Sequence, residues 1–335
     1  MSAALAVVLT ACSLIDEDQS DCGKEVKVDY ELQLITNLDI ELETQLDLEQ
    51  EKDVIDALRN HLQHIFTDYA HDVDLSFYDS KADSARLHHE QAIMDANQRS
   101  YTLYLPKREY MHLAVANLMD NQLVNLTDDD FCHPSKLQQV HADTITSHTT
   151  GLFTARQPMM VLDNEDQTFK VRLYMANCAV ALVVDTQDND ASGMTVLSSG
   201  FASRFSVCDS AFVFDDVPPV IKTEDVPVKG GRQKVFCSVN FPSKNAETTR
   251  SVIVTEEPFL SKLSETALWE FRVYVPRPGS ITQSILRLRK PLHAGQLIIV
   301  EGKLLPDGSV VPYSPEVGVS VTLDWKPGGV YNPEF

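Results

Sequence analysis

The sequence predicts a mainly β protein made of two β-sandwiches, with one amphipathic helix in the first. Three observations carry this reading. Many short runs alternate apolar and polar residues at period 2, the pattern of strands half-buried in a sheet. Turn signals separate these runs, at Gly230-Gly231, Pro276-Arg277-Pro278-Gly279 and Asp307-Gly308. One stretch, Glu51 to Tyr69, changes to helical spacing. The chain has 335 residues, 43% of them hydrophobic. That is enough for about two domains, each with a buried core.

In order, Val26, Val28, Tyr30, Leu32 and Leu34 alternate with Lys27, Asp29, Glu31 and Gln33 and define the first strand. Ile40, Leu42, Leu46 and Leu48 are expected to continue it less strictly. Val54, Ile55, Leu58, Leu62, Ile65, Phe66 and Tyr69 then mark one face of a helix. Strands are expected at Val73–Tyr78, Ser100–Leu105 and His112–Ala116, and a long loop over residues 119–150 before a domain boundary near residue 155. Alternation returns at Phe169–Met175, Ala179–Val184, Phe212–Phe214, Gln233–Val239, Arg250–Val254, Trp269–Val275, Gln296–Val300 and Val317–Leu323. Val317, Val319, Val321 and Leu323 are expected to face the core of the second sandwich. The division is therefore 25–155 for an N-terminal sandwich and 156–335 for a C-terminal one.

Ahead of the first strand, an apolar run from Ala3 to Leu9 ends in Leu9-Thr10-Ala11-Cys12. This is the form of a bacterial lipoprotein lipobox, in which cleavage precedes the cysteine and its thiol takes a diacylglycerol. Residues 1–11 then read as signal peptide, Cys12 as the lipidation site, and acidic 12–24 as a flexible tether. No Lys or Arg precedes the apolar run, so the start is expected to lie further upstream. No stretch reaches the ~20 apolar residues of a spanning helix. The net charge of −21 argues against nucleic acid and against electrostatic docking on anionic lipid.

Local signatures of catalysis are missing from the sequence: there is no GxSxG, HExxH, GxxxxGK[ST] or GxGxxG. No enzyme, cofactor or metal is expected. Setting Cys12 aside leaves Cys22, Cys132, Cys178, Cys208 and Cys237, with no zinc spacing among them; one or two disulfides are open, and spacing does not give their connectivity. His61 and His64 lie one helical turn apart but lack a third ligand, so a solvated helix flank is favoured over a metal site. Asp188, Asp190, Ser192 and Gly193 open like a calcium loop, yet Ser199 stands where the closing Glu belongs, which favours a plain turn. Asp83-Ser84-Ala85, Asp143-Thr144-Ile145 and Asp209-Ser210-Ala211 match the short O-glycosylation pattern of exported Bacteroidetes proteins, a pattern that chance also produces in a chain rich in Asp and Thr.

Several segments in order resemble the FimB-type fimbrial anchor and minor subunits of Bacteroidetes, within the fimbrillin group. They are the lipobox with Asp21-Cys22, Val26–Leu34, Leu75-Ser76-Phe77-Tyr78-Asp79 and Tyr110 to Asn117, followed by Leu152 to Arg156, Met175 to Ala179 and Val319 to Trp325. The resemblance implies two transthyretin-like, Greek-key β-sandwich domains and no catalysis. It implies that stalk subunits polymerise by strand exchange after an Arg-specific protease removes their first strand, whereas anchors keep both strand and lipid. It also implies a place in the outer membrane, lipid-anchored through Cys12 and surface-exposed, with stalk or accessory subunits joined by strand addition. No Arg lies between Cys12 and Arg59, and the basic residues ahead of and within the first strand are Lys24 and Lys27. The alternative is a lipid-anchored surface glycan-binding β-sandwich protein. Such proteins display clustered aromatics, and the two Trp here, Trp269 and Trp325, both fall in strand patterns.

Overall fold

A computed structural model describes residues 25–36, 38, 42, 45–47, 50–67, 70–80, 86–93, 99–117, 124–127, 136–139, 144–162, 167–206, 211–244 and 267–325. Among the described residues four sheets carry the fold. The first has seven strands in the order β3 (Arg86–Ile93), β2 (Asp72–Asp79), β5 (Glu109–Ala116), β9 (Phe153–Met160), β10 (Gln167–Met175), β1 (Glu25–Ile35) and β4 (Ser100–Pro106). The second runs β16 (Glu224–Val226), β17 (Gln233–Asn240), β11 (Cys178–Asp185), β20 (Leu297–Leu304) and β21 (Val310–Pro312). The third runs β22 (Gly318–Trp325), β19 (Ser280–Leu288), β18 (Trp269–Arg277), β12 (Thr195–Ser199), β15 (Val220–Lys222) and β8 (Thr144–Thr146). A small fourth sheet joins β14 (Ala211–Val213), β13 (Arg204–Ser206), β7 (Lys136–Gln139) and β6 (Val124–Thr127). The mainly β class, with an amphipathic helix in the first half, is as the sequence predicts. That helix is α1 (Lys52–Leu62), which buries Val54, Ile55, Leu58 and Leu62.

The second sheet is buried on both faces. Along β11, Ala179, Ala181 and Val183 pack into one core with α1 and the seven-stranded sheet. Cys178, Val180, Leu182 and Val184 pack into another, against Trp269, Phe271, Val273 and Val275 of β18. This explains why β11 reads as a nearly unbroken apolar run, the signature of a strand covered on both sides. It also separates two cysteines, for Cys178 lies in one core and Cys237 in the other, both as free thiols. Gln45 closes part of the sheet edge: its side-chain nitrogen donates to the Leu297 carbonyl, and the Ile299 N–H donates to its Oε1 at 2.9 Å. A third apolar cluster, with Leu113, Val115, Phe205 and Phe241, lies between the outer face of the first sheet and the small fourth sheet.

Several expectations change. After β1, Leu38, Leu42 and Leu46 are buried at four-residue spacing, and Leu46 N–H donates to the Leu42 carbonyl at 3.2 Å. That is an i to i−4 helical bond, so the strand does not continue there. The expected boundary at 155 falls inside β9, which pairs with β5 from Phe153 to Met160, and β10 carries the same sheet on to Met175. The stretch expected to be loop holds β6, β7 and β8, of four, four and three residues, too short to show a period. The strand expected at Arg250–Val254 lies outside the described residues.

Candidate assembly interface

A subunit that adds strands to its neighbours is governed by which of its strands are held and which edges are free. Strand β1 is held on both sides. It runs parallel to β10 from Val28 to Ile35 and antiparallel to β4 from Glu25 to Glu31. Its alternation puts Val28, Tyr30 and Leu32 in the core, each 4% exposed or less. Burying each is worth roughly 1.5–3 kcal/mol. The Lys27–Asp29 and Lys170–Glu31 pairs, at 3.4 and 3.2 Å, lie on the exposed face.

A buried polar link adds to this hold. The His112 ring donates from Nδ1 to the Ser76 carbonyl at 3.0 Å, which leaves Nε2 to accept from the Tyr30 hydroxyl. Burial lowers the His112 pKa to about 4, against a lesser upward pull from its bond to Ser76, so the ring is neutral and this tautomer is the consistent one. Burial, and then Tyr101, push the Tyr30 hydroxyl well above its ordinary range, keeping it a donor. The seven-stranded sheet therefore curls, since β9 and β10 separate these two strands in its order.

Strand β22 is the opposite case. It pairs with β19 from Gly318 to Trp325 and, among the described residues, forms the end of its sheet. Val319 and Val321 stand opposite Leu286 and Ser284, which are fully buried, so they share the core-facing side. They are nevertheless 42% and 43% exposed, which corrects the expectation of burial. Their sheet has six strands and the facing sheet five, ending in the three-residue β21, which touches β19. Strand β22 thus overhangs the core. It is tied on its other face by Arg287, whose Nη1 donates to the Ser320 hydroxyl at 2.9 Å. Arg287 and Arg272 flank the fully buried carboxylate of Glu270, with N–O distances of 3.6 and 2.8 Å. Burial raises the Glu270 pKa and the two arginines oppose that rise. Sequence reasoning missed this triad; a charged residue inside an apolar strand pattern was its only signal.

The other predicted residues are not brought together. Cys12 lies outside the described residues, as do Cys22, Cys132, Cys208, Asp83 to Ala85, Asp143, Asp209 and Ser210. His61 lies 3.8 Å from Glu224 and His64 is exposed. Among the described residues no group of three His, Cys, Asp or Glu is placed to hold a metal. The Asp188 loop is a turn: Gln187 and Asp188 have φ of 49° and 66°, and Ser192 N–H donates back to Asp190. Trp269 is fully buried and donates to the Lys290 carbonyl, so it offers no face to a sugar.

A family model of the fimbrillin-A associated anchor proteins Mfa1 and Mfa2 matches residues 57–211, a little under half of the chain. Over those residues the chain is similar to the fimbrial anchor family. This agrees with the resemblance read from the segments above. A search of curated proteins found no match. Among solved structures, a candidate polysaccharide-binding protein from Bacteroides thetaiotaomicron superimposes with a TM-score of 0.52 at 10% identity, covering 88% of this chain and 98% of that one. A candidate adhesin from Bacteroides ovatus gives 0.52 at 12%, covering 91% and 96%. The fimbrial anchor protein Mfa2 from Porphyromonas gingivalis gives 0.47 at 11%, covering 90% and 100%. For the first two, at these identities, the likeness is one of fold.

Proposed function

We propose that the protein is a lipid-anchored fimbrial subunit that holds the base of a fibre in the outer membrane and ends the growth of the fibre at its own end. The observation that carries this reading is the state of β1. It is paired along both edges, buried at three positions and free of any Arg before Arg59. An Arg-specific protease finds no site there, so lipid at Cys12 stays joined to the fold. A stalk subunit is joined by strand addition at a free edge instead, and β22 offers one. The chain acts mechanically and is not an enzyme. Its place is the cell surface, within the fimbrium, on a diacylglycerol anchor rather than a spanning helix; among the described residues no helix is long and apolar enough to cross a membrane.

Metabolic labelling with a fatty-acid analogue tests the anchor. The wild type takes the label and Cys12→Ala loses it together with membrane attachment; label retained by Cys12→Ala overturns the assignment. Deleting the gene tests the role, with long, shed fibres expected. The second reading, a surface glycan-binding protein, draws on the fold shared with a candidate polysaccharide-binding protein. Glycan-array binding together with unchanged fibres would favour it.

A further inference from the structure

The seven-stranded sheet has an open seam. Strands β9 and β10 pair at Phe153–Met175 and Thr154–Tyr174, and then part. Beyond that corner β9 pairs on its other side with β5, and β10 on its other side with β1. Among the described residues no backbone hydrogen bond bridges the seam from Ala155 to Met160 or from Gln167 to Leu173. Pro158 suits such an edge, because proline has no N–H to leave unpaired.

A cavity of about 580 Å³ opens at the corner end of the seam, with Phe205 and Phe212 of the small fourth sheet on its far side. Arg156 lines it from the outward face of β9 and Gln157 from the core-facing side, so at this end of the seam the cavity reaches the edge of the strand rather than one face alone. Lys170, Arg172 and Tyr174 line it from β10. All three are exposed, Tyr174 by 57%. Arg156 and Arg172 form no ion pair among the described residues, and Lys170 pairs with Glu31 while its side chain stays 76% exposed. In a chain of net charge −21, three cations gathered across a seam left unpaired among the described residues, two on β10 and one on β9, call for a negative partner.

We propose that this seam receives an extended acidic peptide segment, which adds as a strand along the free edge of β10 and sets its carboxylates against Lys170 and Arg172, with Arg156 facing them across the opening. The main-chain groups of Gln167–Leu173 supply the ladder. Residues 170 and 172 lie on one face at the two-residue period, so the partner carries acidic residues at alternate positions. The free edge is seven residues long, roughly 23 Å at ~3.3 Å per residue. Anionic polysaccharide would meet the same cations but would leave the backbone edge unused. The inference does not depend on the fibre reading, since the seam is formed within a single chain.

The test uses the full chain and a fluorescein-labelled peptide, Ac-Glu-Val-Glu-Val-Glu-Val-Glu-NH₂, followed by fluorescence anisotropy. Saturable binding is expected. It should weaken at least tenfold in the Arg156→Glu/Arg172→Glu double variant, whose exposed positions leave the melting temperature unchanged. It should weaken as much when alternate amides of the peptide are N-methylated, because those amides form the ladder. A Lys-Val peptide should not bind. The proposal fails if the acidic peptide does not saturate, if the double variant binds it as the wild type does, or if N-methylation has no effect. Polygalacturonate binding without peptide binding overturns it in favour of a glycan site.

Discussion

Lowering the pH from 7 to 5 should weaken the fold, and two buried histidines set the size of the effect. His112 is fully buried between Phe77, Tyr30 and the Ser76 carbonyl. His148 is fully buried against Phe241 and accepts from Asn177. Burial lowers both pKa values from 6.5 to about 4. A histidine with a depressed folded pKa costs nothing above 6.5, where it is neutral in both states. Below 6.5 the unfolded chain takes up the proton and the folded chain does not, so stability falls until about pH 4. Linkage gives about 1.8 kcal/mol per histidine between pH 7 and 5, roughly 3.6 for both. Glu301 acts in the opposite sense. Burial and its bond to Glu51 raise its pKa to about 7, so the folded state takes up a proton first as the pH falls. Its carboxyl is partly exposed, and after allowance for solvent screening it offsets about 1 kcal/mol. The net loss is roughly 2–3 kcal/mol. Urea unfolding at pH 7, 6 and 5 measures it. His112→Gln should lower stability at pH 7 yet remove about half of the histidine-dependent slope. A flat profile, or an unchanged slope in that variant, would refute the placement of neutral histidines in these cores.

Three further outcomes follow from the packing. Val321→Asp, at the overhanging edge, should cost less than about 1 kcal/mol, whereas Val273→Asp, fully buried in the same sheet, should cost more than ~4; equal losses in thermal unfolding would contradict the overhang. Glu270→Gln leaves Arg272 and Arg287 without their buried counter-charge and should cost about 3 kcal/mol, read from the urea midpoint. At Gly200, where φ is +107°, an added Cβ would stand 2.6 Å from the Leu268 carbonyl oxygen and the Trp269 Cα, so Gly200→Ala should destabilise by about 2–4 kcal/mol; a neutral Gly200→Ala would show that the β12–β18 junction lies elsewhere.

The long strands were legible because one face of each meets a core and the other meets water, which writes a period of 2 into Val26–Leu34 and Trp269–Val275. Helix α1 was legible from its apolar stripe for the same reason. The short strands β6, β7, β8, β13, β15 and β16 have three or four residues each and cannot display a period. Leu42 and Leu46 read as part of a weak strand, with Ile40 and Leu48, because apolar positions four apart fit both periods. That residue 155 lies inside β9 was not legible, because β9 pairs with a strand far back in the sequence and local pattern carries no record of pairing partners. The face of β22 was correctly oriented, yet its burial depended on how far the opposing sheet extends. The Tyr30–His112 link, the Gln45 edge cap, the Glu270 triad and the β9–β10 seam all join residues distant in sequence, which no spacing rule encodes.

The anchor reading stands or falls on whether the fold and the lipid remain one covalent chain. Lys24→Arg, in a host that makes the Arg-specific protease, places a cleavage site between Cys12 and β1 while leaving every strand intact. The account predicts that the protein is cut, that its fold is released from the membrane with β1 still in its sheet, and that whole fibres appear in the medium. Cutting at residue 24 with fibres still held on the cell would contradict it.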